Sequence, residues 1–242
     1  MPGTLLLVRP LAQAIRQQAE LAALGISSLP FCALDTVADA TALAALPQQA
    51  ADCDGVIFVS PSAIDLGWPA IAGKLPASTL LACVGAGSAG KLAAVSQRDV
   101  IAPAQGNDSA ALLALPALQQ LAGQHWLIVR GADGRAQLGE TLARRGARVS
   151  YADIYRRQPQ QLDWAPYDHL QQRHQLAGLL VASSEAAEAL FAAAGSTRAA
   201  TLAAQRFFTL HPRIAQRLAA LGAQHITLCD GSSSALASML SA

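Results

Sequence analysis

Unbroken runs of four to six apolar residues recur along the chain. Each is followed by a turn carrying Gly, Ser or Pro, and then by a segment in which apolar residues return every three to four positions. Bounded by such turns, the runs read as strands covered on both faces, and the segments after them as amphipathic helices. The pattern is fullest in residues 126–157, WLIVRGADGRAQLGETLARRGARVSYADIYRR. There the spacing predicts a strand at 126–129, a loop at 130–134, a helix to Arg145, a stop at Gly146 and a second strand at 148–155.

Residues 5–34, LLLVRPLAQAIRQQAELAALGISSLPFCAL, repeat that order. Arg9 and Arg130 close the two first strands and lie 121 positions apart, as do the helix-stopping Gly25 and Gly146. Two further matches follow in sequence. DGVIFVSPSAIDL pairs with AGLLVASSEAAEAL at an offset of 123 (Ser60, Ser183), and VIAPAQGNDSAALL with ITLCDGSSSALASM at 125 (Gly106, Gly231). Four ordered matches point to two copies of one α/β unit, each long enough to bury its own core.

The remaining elements follow the same rules. Helices are predicted after Pro10, at 41–51, after Ser60-Pro61, after Gly85 to Val95, from Ser109, at 167–175 (polar), from Ser183-Ser184 to Ala194, from His211-Pro212 to Leu221, and after Gly231. Strands are predicted at 4–8, 27–34, 55–59, 79–84, 99–102, 177–182, 206–210 and 224–228. Pro69 and Gly73 are expected to break the chain into turns. Strict alternation of strand and helix predicts parallel sheets covered on both faces.

Ten strands divide into two five-stranded sheets if the chain leaves the first domain after Leu34 and returns after Tyr155. The expectation is therefore two similar three-layer α/β/α domains joined by a two-stranded connector. The first, discontinuous domain takes 1–34 and 160–242, the second 40–152, and the connector strands 32–39 and 153–163.

Composition narrows the function. The chain has 242 residues, 52% hydrophobic and 14% charged, with a net charge of +1. Two real cores are possible, and disorder is excluded. Without a basic run, non-specific nucleic-acid binding lacks its field. No stretch reaches the ~20 apolar residues of a membrane span. Arg9 and Pro10 interrupt any signal-like segment, so a cytoplasmic protein is expected. Cys32, Cys53, Cys83 and Cys229 form no C-x-x-C pair and read as buried thiols, with no metal site.

In parallel α/β sheets, ligands collect beyond the carboxyl ends of the strands. Those ends carry small polar residues here: Ser60 and Ser62, Gly85, Gly87 and Ser88, Gly131 and Gly134, Ser183 and Ser184, Ser232 and Ser233. Any one is an ordinary helix cap, but together they offer many N–H groups suited to anions. Arg9, Arg130 and Arg213 are placed to bind carboxylates, although solvated or paired arginines are the default. His211 reads as a cap or a ligand contact. Gly85-x-Gly87-x-x-Gly90 has dinucleotide spacing, but it follows a middle strand, and about twenty residues on it finds only Asn107-Asp108. Two other functions remain open on the residues alone: a two-lobed, non-catalytic binder of an anionic small molecule, and a nucleotide-dependent transferase.

The motifs LLLVRP, FVSPSA, VGAGSAGKL, the long segment 127–157, ASSEA and HPRIAQRLAALG together resemble the uroporphyrinogen-III synthase family over nearly the whole chain. The resemblance implies two α/β domains on a two-stranded ladder, with the active site in the cleft between them and neither metal nor cofactor. It implies hydroxymethylbilane, a flexible linear tetrapyrrole with eight carboxylates, as substrate. The terminal hydroxyl is lost, the last pyrrole ring inverts through a spiro intermediate, and the macrocycle closes with release of water.

Tyr155 matches the family tyrosine proposed to assist loss of the hydroxyl; a phenol carries its proton at neutral pH, as a donor requires. The candidate substrate contacts at the strand ends are Arg9, Ser60, Ser62, Gly85, Gly87, Ser88, Arg130, Gly131, Ser183, Ser184, His211, Pro212 and Arg213. Many relatives carry a G-x-T-T-A turn where this chain has His211-Pro212-Arg213-Ile214-Ala215, so contacts of those hydroxyls do not carry over and Arg213 is expected to take part of the carboxylate binding, while Ser88 keeps a hydroxyl in the other copy. A monomer is expected, with transient hand-over of substrate from the preceding pathway enzyme.

Overall fold

A computed structural model describes residues 3–106, 108–132, 134–229 and 232–241. Gly231, part of the repeat, lies outside them. Chain order is β1 (Thr4–Val8), α1 (Leu11–Ala23), β2 (Ser28–Pro30), β3 (Leu34–Ala38), α2 (Ala40–Ala50), β4 (Gly55–Phe58), α3 (Pro61–Ile71), β5 (Leu80–Cys83), α4 (Ala86–Ser96), β6 (Val100–Ile101), α5 (Ser109–Leu113), a 3-10 turn at Pro116–Leu118, and β7 (His125–Gly131). It continues with α6 (Gln137–Arg144), β8 (Arg148–Pro159), α7 (Ala165–Gln172), β9 (Leu176–Val181), α8 (Ser184–Ala203), β10 (Arg206–Thr209), α9 (Pro212–Ala220), β11 (His225–Leu228) and α10 (Ser233–Ser241).

These elements form two compact units, Met1–Asp35 with Gln158–Ala242, and Thr36–Arg157. The first holds a five-stranded sheet in the order β11-β10-β9-β1-β2, parallel throughout. Its faces are filled by Leu6, Val8, Leu179 and Phe207 on one side and by Leu5, Leu7, Leu180 and Phe208 on the other. That two-sided burial explains why these strands are apolar at every position rather than at alternate ones.

The second unit holds the order β3-β8-β7-β4-β5-β6. Five strands run parallel, and β3 adds a sixth at the edge beside β8. The N–H of Asp39 bonds to the carbonyl of Ile154, and that of Gln160 to the carbonyl of Ala33. As one number rises the other falls, so this pair is antiparallel. The chain passes from one unit to the other within β3 and β8.

Three elements differ from the sequence reading. The single strand expected at 27–34 is two. Pro30 lacks an N–H to continue the ladder, and after Phe31 and Ala33 turn into the core the chain restarts as β3 in the other sheet. Pro69 does not break α3. It costs the helix one bond near its end, while Trp68 and Ile71, both buried, hold the last turn against the core. The helix expected to stop at Ala194 bends at Gly195, whose backbone (φ 57°, ψ −168°) suits glycine alone, and runs on to Ala203.

Candidate active site

The carboxyl ends of β4, β7 and β8 bring together the residues with most chemical capacity. Ser60 follows β4 and caps α3, its Oγ accepting the N–H of Ala63 at 3.0 Å, with Pro61 at the first helical position. Both features were readable from Ser-Pro after an apolar run.

Tyr155, near the far end of β8, lies 2.9 Å from the same Ser60 Oγ through its phenolic oxygen. Tyr155 is only 3% exposed, the packed aromatic of the two readings its sequence position allows rather than a phenol displayed on an extended connector. The difference lies in the neighbours: Tyr155 packs with Ile154, Ala152 and Val129 in the core under α3. Gly131 presses on the ring, for a Cβ added there would stand 2.6 Å from Tyr155 Cε2. Glycine is therefore required at 131 by close approach.

Val59, Ser60, Gly131, Gly134, Tyr155 and Arg157 line an open hollow of about 100 Å³. Arg157 is the cation that sequence reasoning missed. The available signal was its position two residues after Tyr155, which places both on one face of a strand. Arg156 lines a neighbouring hollow with Asp39, Asp153 and Tyr155 itself.

The hydroxyl pair has a countable proton inventory. One lone pair of Ser60 Oγ is occupied by the Ala63 N–H. If Tyr155 donates to Ser60, the serine proton is left for the hollow; if Ser60 donates to Tyr155, the phenolic proton is left. Either way the pair presents one O–H to a ligand.

The other predicted residues fall as follows. Arg130 is not displayed to solvent. Its Nε donates to Asp153 Oδ1 at 2.7 Å, its Nη1 to the carbonyls of Gly134 (3.1 Å) and Arg135 (3.2 Å), and its plane covers the Tyr151 ring at 4.0 Å. Ser62 is half-buried on α3. Gly85 caps α4, with Gly87 and Ser88 in its first turn. A Cβ at Gly87 or Gly90 would meet nothing within 4 Å, and Gly90 lies within the helix, so the dinucleotide spacing has no packing reason behind it.

In the first unit the carboxyl ends of β1, β9 and β10 carry Arg9, Ser183 with Ser184, and His211 to Arg213. Arg9 Nη1 donates to Gln17, a glutamine 4% exposed, and Arg9 Nε is buried with no hydrogen-bond partner. Burial first, and then the charge of Arg16, pull this guanidinium below its ordinary range against Glu20. Ser183 caps α8 through the Ala186 N–H at 3.0 Å, and Ser184 Oγ is buried without a partner. His211 Nδ1 accepts the Arg213 N–H at 3.1 Å as the α9 cap, Pro212 follows at the first helical position, and Arg213 is exposed.

Among the described residues no group of three or more His, Cys, Asp or Glu could hold a metal ion, and no helix is long and apolar enough to cross a membrane. Burial pushes the thiols of Cys32 and Cys53 up to about 11 and that of Cys83 to about 12, so none is poised as a nucleophile.

Comparison with known proteins narrows what this arrangement serves. The family described as "Uroporphyrinogen-III synthase HemD" matches residues 16–234. Uroporphyrinogen-III synthase of Salmonella typhimurium is 35% identical over 148 residues, 61% of this chain and 60% of that protein. The Escherichia coli protein of the same name is 32% identical over 212 residues, 87% of this chain and 77% of its own. Two solved structures share the fold. A mutant uroporphyrinogen III synthase from the extremely thermophilic bacterium Thermus thermophilus has a TM-score of 0.62 at 19% identity, covering 99% of this chain and 96% of that one. The uroporphyrinogen-III synthetase of Helicobacter pylori scores 0.57 at 13% identity, covering 99% of both. With the matched profile spanning nearly all of the sequence, this chain belongs to the uroporphyrinogen-III synthase family.

Proposed function

We propose that the chain converts hydroxymethylbilane to uroporphyrinogen III, with Tyr155 and Ser60 as the proton-donating pair at the departing hydroxyl. The observation that carries this reading is the 2.9 Å contact between a buried phenol and a helix-capping serine at the wall of an open hollow. Loss of hydroxide from a pyrrolic carbinol needs a proton on the leaving oxygen, and the pyrrole nitrogen supplies the electrons. Phenolic O–H donation, with Ser60 donating in turn to Tyr155, meets that need at a fixed site. Ring closure later frees a proton from the attacking pyrrole carbon, so one proton is lent and one returned, and water is the only by-product.

The larger task is conformational. A linear tetrapyrrole must be held as one bent conformer for its last ring to invert, an entropy-trap role. Helix starts at Ser60 and Gly85 in one unit, and at Ser183 and His211 in the other, supply N–H groups for its carboxylates. Arg157 adds a charge beside the hydroxyl pair, and Arg213 an exposed charge where relatives have hydroxyls. We take the protein to work as a cytoplasmic monomer that receives its unstable substrate by transient hand-over.

The test is direct. Purified protein with fresh hydroxymethylbilane should give ring isomer III, and Tyr155→Phe should lower that turnover with the fold intact. Isomer I alone, at the spontaneous rate, would end the proposal. Undiminished turnover by Tyr155→Phe would remove Tyr155 from it.

A further inference from the structure

We infer that Arg130 is a positioning residue whose guanidinium holds a β-bulge in β8 and so aims Tyr155 at Ser60; the catalytic side of this inference rests on the donor role proposed above. Along β7 and β8 the register pairs Arg130 with Asp153 and then Gly131 with Tyr155. One step on β7 spans two on β8, leaving Ile154 as the extra residue. Without it, alternation would put Tyr155 on the face of Tyr151 and Asp153. Those two do share a face, since both bear on Arg130. Tyr155 instead joins Ala152 and Ile154 on the other face, against α3. The bulge is what carries the phenol to Ser60, the re-aiming that such irregularities perform next to active sites.

What holds the bulge is legible in the bonds. Arg130 grips Asp153, the last regular residue before it, and the carbonyls of Gly134 and Arg135, in the loop after β7. β7 ends at Gly131, whose Cα faces the Tyr155 ring, and the loop is tied to β8 by the Ala132 N–H on the Tyr155 carbonyl at 2.8 Å. One guanidinium thus fastens both sides of the irregularity, with its plane on Tyr151 and only 14% of the side chain exposed. A lysine retains the charge but cannot form this planar fork.

The experiment places 3-fluorotyrosine at position 155 of the full chain and reads its fluorine resonance in otherwise wild-type protein and in Arg130→Lys, Arg130→Gln and Asp153→Ala. The resonance should shift or split in all three while each still melts cooperatively. In the unlabelled protein, Lys should fail to rescue: kcat falls about 100-fold, as for a misplacement of about 1 Å, KM changes little, and the loss largely vanishes in a Tyr155→Phe background. An unmoved resonance, wild-type turnover by Arg130→Lys, or losses additive with Tyr155→Phe would overturn the inference. If Arg130→Gln does not fold, Asp153→Ala decides by the same readouts. Fluorine spectra need no turnover, so they judge the clamp even if isomer III never forms, a result that would defeat the functional proposal instead.

Discussion

Gly131→Ala tests the site by the smallest possible addition. The new methyl would stand 2.6 Å from Tyr155 Cε2, 2.9 Å from Cζ and 3.1 Å from Cδ2. Carbon atoms rest at about 3.5–4.0 Å, so the ring must retreat by about 1 Å. It has no slack, being buried in the core beneath α3. A retreat of that size takes the phenolic oxygen from 2.9 Å of Ser60 Oγ towards the limit at which a hydrogen bond is lost.

Overpacking of this kind costs about 1–3 kcal/mol. Gly131 is not at positive φ, so alanine recovers about 0.4–1 kcal/mol through the unfolded chain. The net expectation is a loss of about 1–2 kcal/mol in stability and about 100-fold in turnover. Urea denaturation and chromatographic separation of the isomers formed from hydroxymethylbilane measure the two. Gly90→Ala is the control: its added methyl touches nothing, and a helical alanine should gain up to about 1 kcal/mol with turnover unchanged. Wild-type turnover of isomer III by Gly131→Ala would refute the claim that ring position governs the reaction.

Ser60→Ala removes both the α3 cap and the phenol's partner; it should cost about 1 kcal/mol in urea and lower turnover, with Ser60→Thr recovering most of each. Thiol labelling of the native protein should reach Cys32 first, since it is only half-buried. Cys53, Cys83 and Cys229 should label on denaturation, Cys83 being held at about 12 by burial. Asp168→Asn reports on the pair with Arg198, bonded at 3.0 and 2.6 Å. That hydrogen bonding holds the Asp168 carboxyl below its ordinary range, against opposing burial. A lowered folded value gives stability that is full above about pH 4 and is lost as pH falls through the folded titration. The variant should therefore melt below wild type at pH 7, with a gap that closes in acid and shrinks in salt.

The two-copy architecture and the helix starts were legible because they follow from local rules. An apolar run buried on both faces needs no knowledge of its partners, and Ser60-Pro61 or Ser183-Ser184 caps whatever helix follows. What stayed hidden depends on contacts far apart in sequence. Arg130 reads as a carboxylate ligand until Asp153 and the Gly134 carbonyl are seen around it. Arg157 follows Tyr155 by two and so shares its face, but what that face meets is not readable from the strand alone. The aim of Tyr155 shows why: alternation counted from Tyr151 turns the phenol away from Ser60, and only the extra residue at Ile154 reverses it. A bulge changes the parity of every position after it. Tyr155 and Arg157 therefore share one hollow, while Arg156 lines another that Tyr155 also borders, after a register shift set by a guanidinium 24 residues before Ile154. The chemistry of the site is thus written in residue types, but its direction is written in the pairing of two strands.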